Sequence, residues 1–109
     1  MRLRTCIGMA GAALSAVILP GCGGTFSGPP TVTAAMVGSA RRQHLDDKTL
    51  VAGRAVFVSR CIECHVLPSI AEHSAAAWPA IIGRMSTRAD LTLTERQALV
   101  AYILAAKNP

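Results

Sequence analysis

Apolar positions in the second half of the chain recur with the period of a helix, and three stretches carry the pattern. In the first, Leu50, Gly53 and Phe57 fall on one stripe with Val51 and Val58 beside it, which predicts a helix from near Lys48 running to Cys61. Asp46 or Asp47 stands where its N-cap is needed. In the second, Trp78, Ile81, Ile82 and Met85 follow the spacing i, i+3, i+4, i+7. Pro79 must then lie in the first turn, because further in it would lose a hydrogen bond and clash with the turn before it. That helix is expected to begin between Ala75 and Ala77. After a short connector, Arg88 to Leu93, Thr94 and Gln97 have the spacing of a capping box. The third helix is expected to run from there to about Ala106, with Ala98, Leu99, Tyr102 and Ile103 on its apolar face and Lys107 suiting its negative end.

Gly53 inside a helix costs roughly 1 kcal/mol relative to alanine. Either it lets a second helix cross closely, or it is simply tolerated. Tyr102 is expected to pack at a crossing with Gly53 and Phe57. Upstream, residues 22–44 are rich in Gly, Ser, Thr, Pro and Ala and hold no sustained period, so they read as a flexible tether. Phe26 and Met36 stand in it singly and read as incidental. The folded domain is then 45–109.

Met1 to Arg4 is basic, and Cys6 to Leu19 is an unbroken run of apolar and small residues. The run is too short to span a bilayer comfortably and fits the central region of an export signal, here residues 1–21. Its end, Leu19-Pro20-Gly21-Cys22, resembles the bacterial lipobox: Leu19 and Gly21 match, while Pro20 departs from the small residue usual there. The resemblance implies that Cys22 becomes the lipidated first residue of the mature protein. The alternatives are an ordinary cleaved signal with Cys22 a bystander, or an uncleaved anchor.

The chemistry concentrates in Cys61-Ile62-Glu63-Cys64-His65, the attachment pattern of a c-type haem. Two thiols one helical turn apart can add across the two vinyl groups of a porphyrin edge. The following His65 then offers an imidazole nitrogen to iron from the proximal side. Three other readings are weaker. Tetrahedral zinc needs a second ligand pair, and downstream of His65 the chain has only His73 and no cysteine. A thioredoxin-like dithiol calls for a strand and a βαβ frame. A disulfide between neighbours this close would close too small a loop to stabilise much. Met85 is the only methionine beyond the motif, and it is read as the sixth ligand of the iron, the alternative being a flexible core filler. His73 is a rival ligand or propionate contact, against the commoner outcome of an exposed loop histidine. A carbonyl of the loop after His65, Pro68 first among them, is expected to accept a hydrogen bond from the other imidazole nitrogen.

Composition sharpens the picture in three ways. The 109 residues leave room for one small domain and a leader, and only 4% are aromatic, so a protein-only core would be thin without a porphyrin face to cover. The four cysteines divide without remainder: Cys6 leaves with the leader, Cys22 carries lipid, Cys61 and Cys64 carry haem, and no disulfide is expected. Discarding Arg2 and Arg4 lowers the formal charge from +5 to +3, and two propionates would bring it to about +1. Nucleic-acid binding is not indicated.

Together the Gly53-x-x-x-Phe57 helix, the Cys61 to His65 motif, the Trp78 to Met85 segment and the terminal helix bearing Tyr102 resemble a small class I monohaem c-type cytochrome, over about residues 47 to 107. The resemblance implies an all-α domain of about three helices wrapped around one covalent haem c, with Cys61 and Cys64 on the porphyrin and His65 and Met85 axial to the iron. It implies a one-electron carrier rather than an enzyme, docking transiently with redox protein partners at the haem edge and acting on no small-molecule substrate. The leader and the haem motif both imply the periplasmic side of a bacterial membrane, lipid-anchored, or else soluble in the periplasm. Two rivals stay open: an open-site haem protein that binds gases or acts like a peroxidase, and a permanent electron-transfer subunit of a larger membrane oxidoreductase.

Overall fold

Helix α4, Leu93–Lys107, is the element on which the others pack. The computed structural model describes residues 28–109, and among these every regular element is helical. In chain order they are α1 (Ala34–Arg42), α2 (Asp47–Arg60), α3 (Trp78–Arg88) and α4, with single 3₁₀ turns at Cys61–Glu63 and Ile70–Glu72. The fold is all-α. The expected leader, 1–21, and Cys22 lie outside the described residues. No helix among the described residues is long and apolar enough to cross a membrane.

The α2–α4 crossing is the structural centre, and it depends on one missing side chain. A Cβ built on Gly53 would land on the backbone carbonyl of Ala98 and 2.8 Å from Cβ of Tyr102. Gly53 is therefore the close-approach glycine that the sequence left as one of two options. Tyr102 and Ile103 are fully buried beside it, as is Leu50, and the rings of Phe57 and Tyr102 stand 6.2 Å apart at a tilt of 46°. Helix α3 packs on α4 as well, yet α2 and α3 nowhere bring their Cα atoms within 8 Å of each other. Two helices held apart on a common third leave a gap between them, and the candidate site lies there.

Each helix end has an identifiable cause. Asp46 caps α2, its Oδ1 accepting from the Thr49 amide at 2.8 Å and the Thr49 hydroxyl at 2.9 Å. Helix α3 begins at Trp78 with Pro79 in its first turn, after a turn at residues 75–77. For α4 the capping residue is Thr92, two positions before the expected Thr94. Thr92-x-x-Glu95 has the same spacing as Thr94-x-x-Gln97, and a charged carboxylate suits the positive end of the helix better than an amide does. The Glu95 carboxylate accepts from the Thr92 amide at 2.8 Å and hydroxyl at 2.9 Å, while the Thr92 hydroxyl accepts from the Glu95 amide at 3.2 Å.

Those bonds from Thr92, the backbone amide first, hold the Glu95 carboxyl below its usual value. A carboxyl so lowered stabilises the fold fully above the ordinary carboxylate range, and loses that contribution as pH falls through the lowered value. Replacing Thr92 with alanine is expected to destabilise the domain by about 1 kcal/mol at neutral pH. Thr94→Ala should change little. Urea unfolding at neutral and acidic pH checks both points, because the gap between wild type and Thr92→Ala should narrow in acid.

The expected tether is the region where the fold departs furthest from the sequence reading. Within 22–44, Ala34–Arg42 form helix α1, capped by Thr33, with Met36 and Ala40 buried in the core at 2% and 1% exposure. Ahead of it, the carbonyl of Pro30 accepts from the Tyr102 hydroxyl at 2.7 Å and from Arg54 Nε at 3.0 Å. Arg54 Nη2 adds a bond to the carbonyl of Pro29 at 3.3 Å. The folded unit thus includes Pro29 and Pro30 and does not wait for Leu45. The apolar positions responsible, Val32, Met36, Val37 and Ala40, do lie on one helical stripe, but Gly38 and Ser39 interrupt it and small residues dilute it.

Candidate functional site

The gap between α2 and α3, floored by α4, is an apolar cleft of about 820 Å³ counted to its open mouth. Phe57 lines it from α2, Trp78, Ile81 and Ile82 from α3, and Leu99 and Ile103 from α4. Cys61, Cys64, His65 and Met85, the four residues singled out in the sequence, all line this one cleft. The cysteines and the methionine belong to separate elements, so their meeting is a property of the fold and not of chain proximity.

The local geometry of the motif follows from α2. The helix tightens into a 3₁₀ turn over Cys61–Glu63, which continues its axis and presents Cys61 half-buried and Cys64 exposed at the rim. Burial pushes the Cys61 thiol above its ordinary value. A raised thiol is a poor thiolate nucleophile, which is the reverse of what a dithiol exchange site requires. Among the described residues no group of three His, Cys, Asp or Glu side chains is gathered to hold a metal ion.

His65 Nδ1 lies 2.7 Å from the carbonyl of Val66. A carbonyl only accepts, so Nδ1 carries the proton and the neutral imidazole keeps its lone pair on Nε2. The expectation of an acceptor in this loop holds, but the acceptor is Val66, while Pro68 instead forms part of the cleft wall. Trp78 is buried and donates its indole N–H to the carbonyl of Ile70 at 3.2 Å, which ties the loop to the start of α3.

Met85 sits on α3 one turn before its end and is 39% exposed. The helix continues past it through Arg88. His73 takes no part in the cleft wall. Its ring packs edge-on against Trp78, 5.4 Å between centroids at 80°, on the loop side. Two cleft residues that sequence reasoning passed over are Arg60 and Arg88, the only arginines in an otherwise largely apolar wall. Arg60 donates from Nη2 to the carbonyl of Ala89 beyond the end of α3. Its position immediately before Cys61 was the only signal the chain offered, and one basic residue beside a motif does not distinguish itself.

No protein-family model, curated protein or solved structure matches this chain.

Proposed function

We propose that this chain is a small class I c-type cytochrome, a one-electron carrier whose single haem c is held covalently in the cleft between α2 and α3. The observation that carries the reading is the convergence of Cys61, Cys64, His65 and Met85, from two separate elements, on one apolar cleft. The donor set suits the group: two thiols spaced for adjacent vinyl carbons, an imidazole with Nε2 free, and a neutral thioether. The apolar walls suit its flat face. A haem so bound supplies a ferric–ferrous couple.

The roles of the protein's own residues follow. Cys61 and Cys64 anchor at the rim, and His65 is held in one tautomer and one orientation by the Val66 carbonyl. Phe57, Trp78, Ile82, Leu99 and Ile103 exclude water, which disfavours added charge at the site and favours the ferrous state. His65 and Met85 would hold the iron of such a haem from two sides and leave it no position for a substrate, which would make the protein a carrier rather than an enzyme. Redox partners dock at the exposed cleft mouth. On this reading Cys22 carries lipid and the protein works on the periplasmic side of a bacterial membrane.

A second reading, an open-site haem protein, has one observation in its favour. Met85 is partly exposed and lies within a helix, so its thioether must be directed from a fixed backbone.

The chain produced in a host that attaches c-type haem tests the proposal. Purified protein is expected to be coloured, to keep its pigment through acidified organic solvent, and to lose most covalent attachment in Cys64→Ala. Colourless protein, or pigment that extracts, overturns it. Met85→Ala decides between the two readings. As a carrier, the wild type ignores carbon monoxide and the variant binds it with a lowered reduction potential; as an open-site protein, both bind it alike.

A further inference from the structure

We propose that Arg60 is a positioning residue for the sixth iron ligand: it caps the end of the helix that carries Met85 and thereby fixes the thioether on the cleft. The inference rests on the haem reading above and adds to it a residue outside the attachment motif.

The path is short and specific. At the end of α3 the Ala89 amide donates to the Met85 carbonyl at 2.9 Å, and Arg60 Nη2 donates to the carbonyl of Ala89. Two hydrogen bonds therefore join the residue next to Cys61 to Met85, with only Ala89 between them. Among the described residues α2 and α3 have no Cα atoms within 8 Å of each other, so a long side chain is needed to hydrogen-bond across. Among the described residues Arg60 makes the one side-chain hydrogen bond from α2 to the turn after α3. The guanidinium is committed to that bond. Its Nε is buried without a hydrogen-bond partner, and the nearest carboxylate oxygen, on Glu63, is 3.9 Å away.

The physical effect is that of a C-cap. The last carbonyls of a helix lack internal partners and carry its negative end, and a cationic donor satisfies both needs. Without it the final turn of α3 frays from Ala89 backward, and the first residue reached through its hydrogen bond is Met85. A thioether is a weak ligand on a half-exposed side chain, so a small loss of backbone order weakens its hold on iron.

The test uses haem-loaded wild type and Arg60→Gln, titrated with imidazole as an external ligand well below the unfolding temperature. A hydrogen bond from a charged donor is strong enough that its loss should tighten apparent imidazole binding about tenfold. The reduction potential should fall, while far-UV circular dichroism stays unchanged. A merely structural Arg60 would lower the unfolding temperature and leave the imidazole affinity within about twofold of wild type, and that result overturns the proposal. Should Arg60→Gln not fold, Arg60→Lys serves: it keeps the charge but loses the planar reach, and should shift the affinity in the same direction by a smaller factor. An unmoved Arg60→Lys overturns the proposal too. Wild type without covalent haem, or with imidazole affinity already equal to that of Met85→Ala, removes the haem or ligand reading itself before any Arg60 variant is compared.

Discussion

Replacing Gly53 with alanine is expected to destabilise the domain by about 3 kcal/mol or more, an unusually large effect for one added methyl group. The added carbon would fall on the carbonyl of Ala98 and on Cβ of Tyr102, and neither can rotate away as the end of a long side chain can. Relief requires α2 and α4 to move apart. These helices bury Leu50, Phe57, Leu99, Tyr102 and Ile103 between and around them, so separation loosens most of the core at once. Intrinsic helix preference acts in the opposite direction, favouring alanine by about 1 kcal/mol, and is overwhelmed. Gly38 on α1 provides the internal control. A Cβ there meets only a terminal nitrogen of Arg42 at 3.8 Å, so Gly38→Ala should be neutral or stabilising by up to about 1 kcal/mol. Thermal and urea unfolding of the two variants checks the pair. The site should register the change as well, since Phe57, Leu99 and Ile103 line the cleft and belong to the disturbed crossing.

This contrast marks how far the chain could be read before its structure. Gly53, Phe57 and Tyr102 suggested a crossing without deciding it, because a glycine within a helix either admits a neighbour or is merely tolerated, and the helical spacing from Trp78 placed Met85 on a different element from the Cys61 to His65 motif. That these elements face one cleft was implied only by the resemblance, because periodicity gives a helix its apolar face and says nothing about which helix stands opposite. The capping of α4 was misplaced by two residues for a definite reason: two overlapping motifs of equal spacing compete, and the winner is the one with a carboxylate at its third position. Arg60 was invisible for another reason. Its partner is a backbone carbonyl twenty-nine residues away, and a carbonyl has no sequence signature.

Met36→Ala is expected to cost about 3 kcal/mol, a value that a methionine in a flexible tether could not produce. Met36 is 2% exposed and belongs to the same buried cluster as Leu50, Tyr102 and Ile103. Its truncation removes buried methylene and sulfur surface and leaves a cavity beneath α1, which the neighbouring Ala40 is too small to fill. Tyr102→Phe should add a loss of about 1 kcal/mol by leaving the Pro30 carbonyl without the hydroxyl's hydrogen bond. If both variants unfold like wild type in urea, α1 and the Pro29–Pro30 segment are not part of the folded unit. If they do not, the arithmetic of the proposed lipid anchor changes. Residues 22–44 as a tether would let the domain range roughly 80 Å from the membrane, whereas the stretch from Cys22 to the first anchored residue, Pro29, spans about 25 Å even when fully extended. Under the proposed reading, a carrier held so closely would reach partners embedded in or lying on the same membrane surface. The burial of one methionine therefore bears on the reach that the proposed anchor would allow.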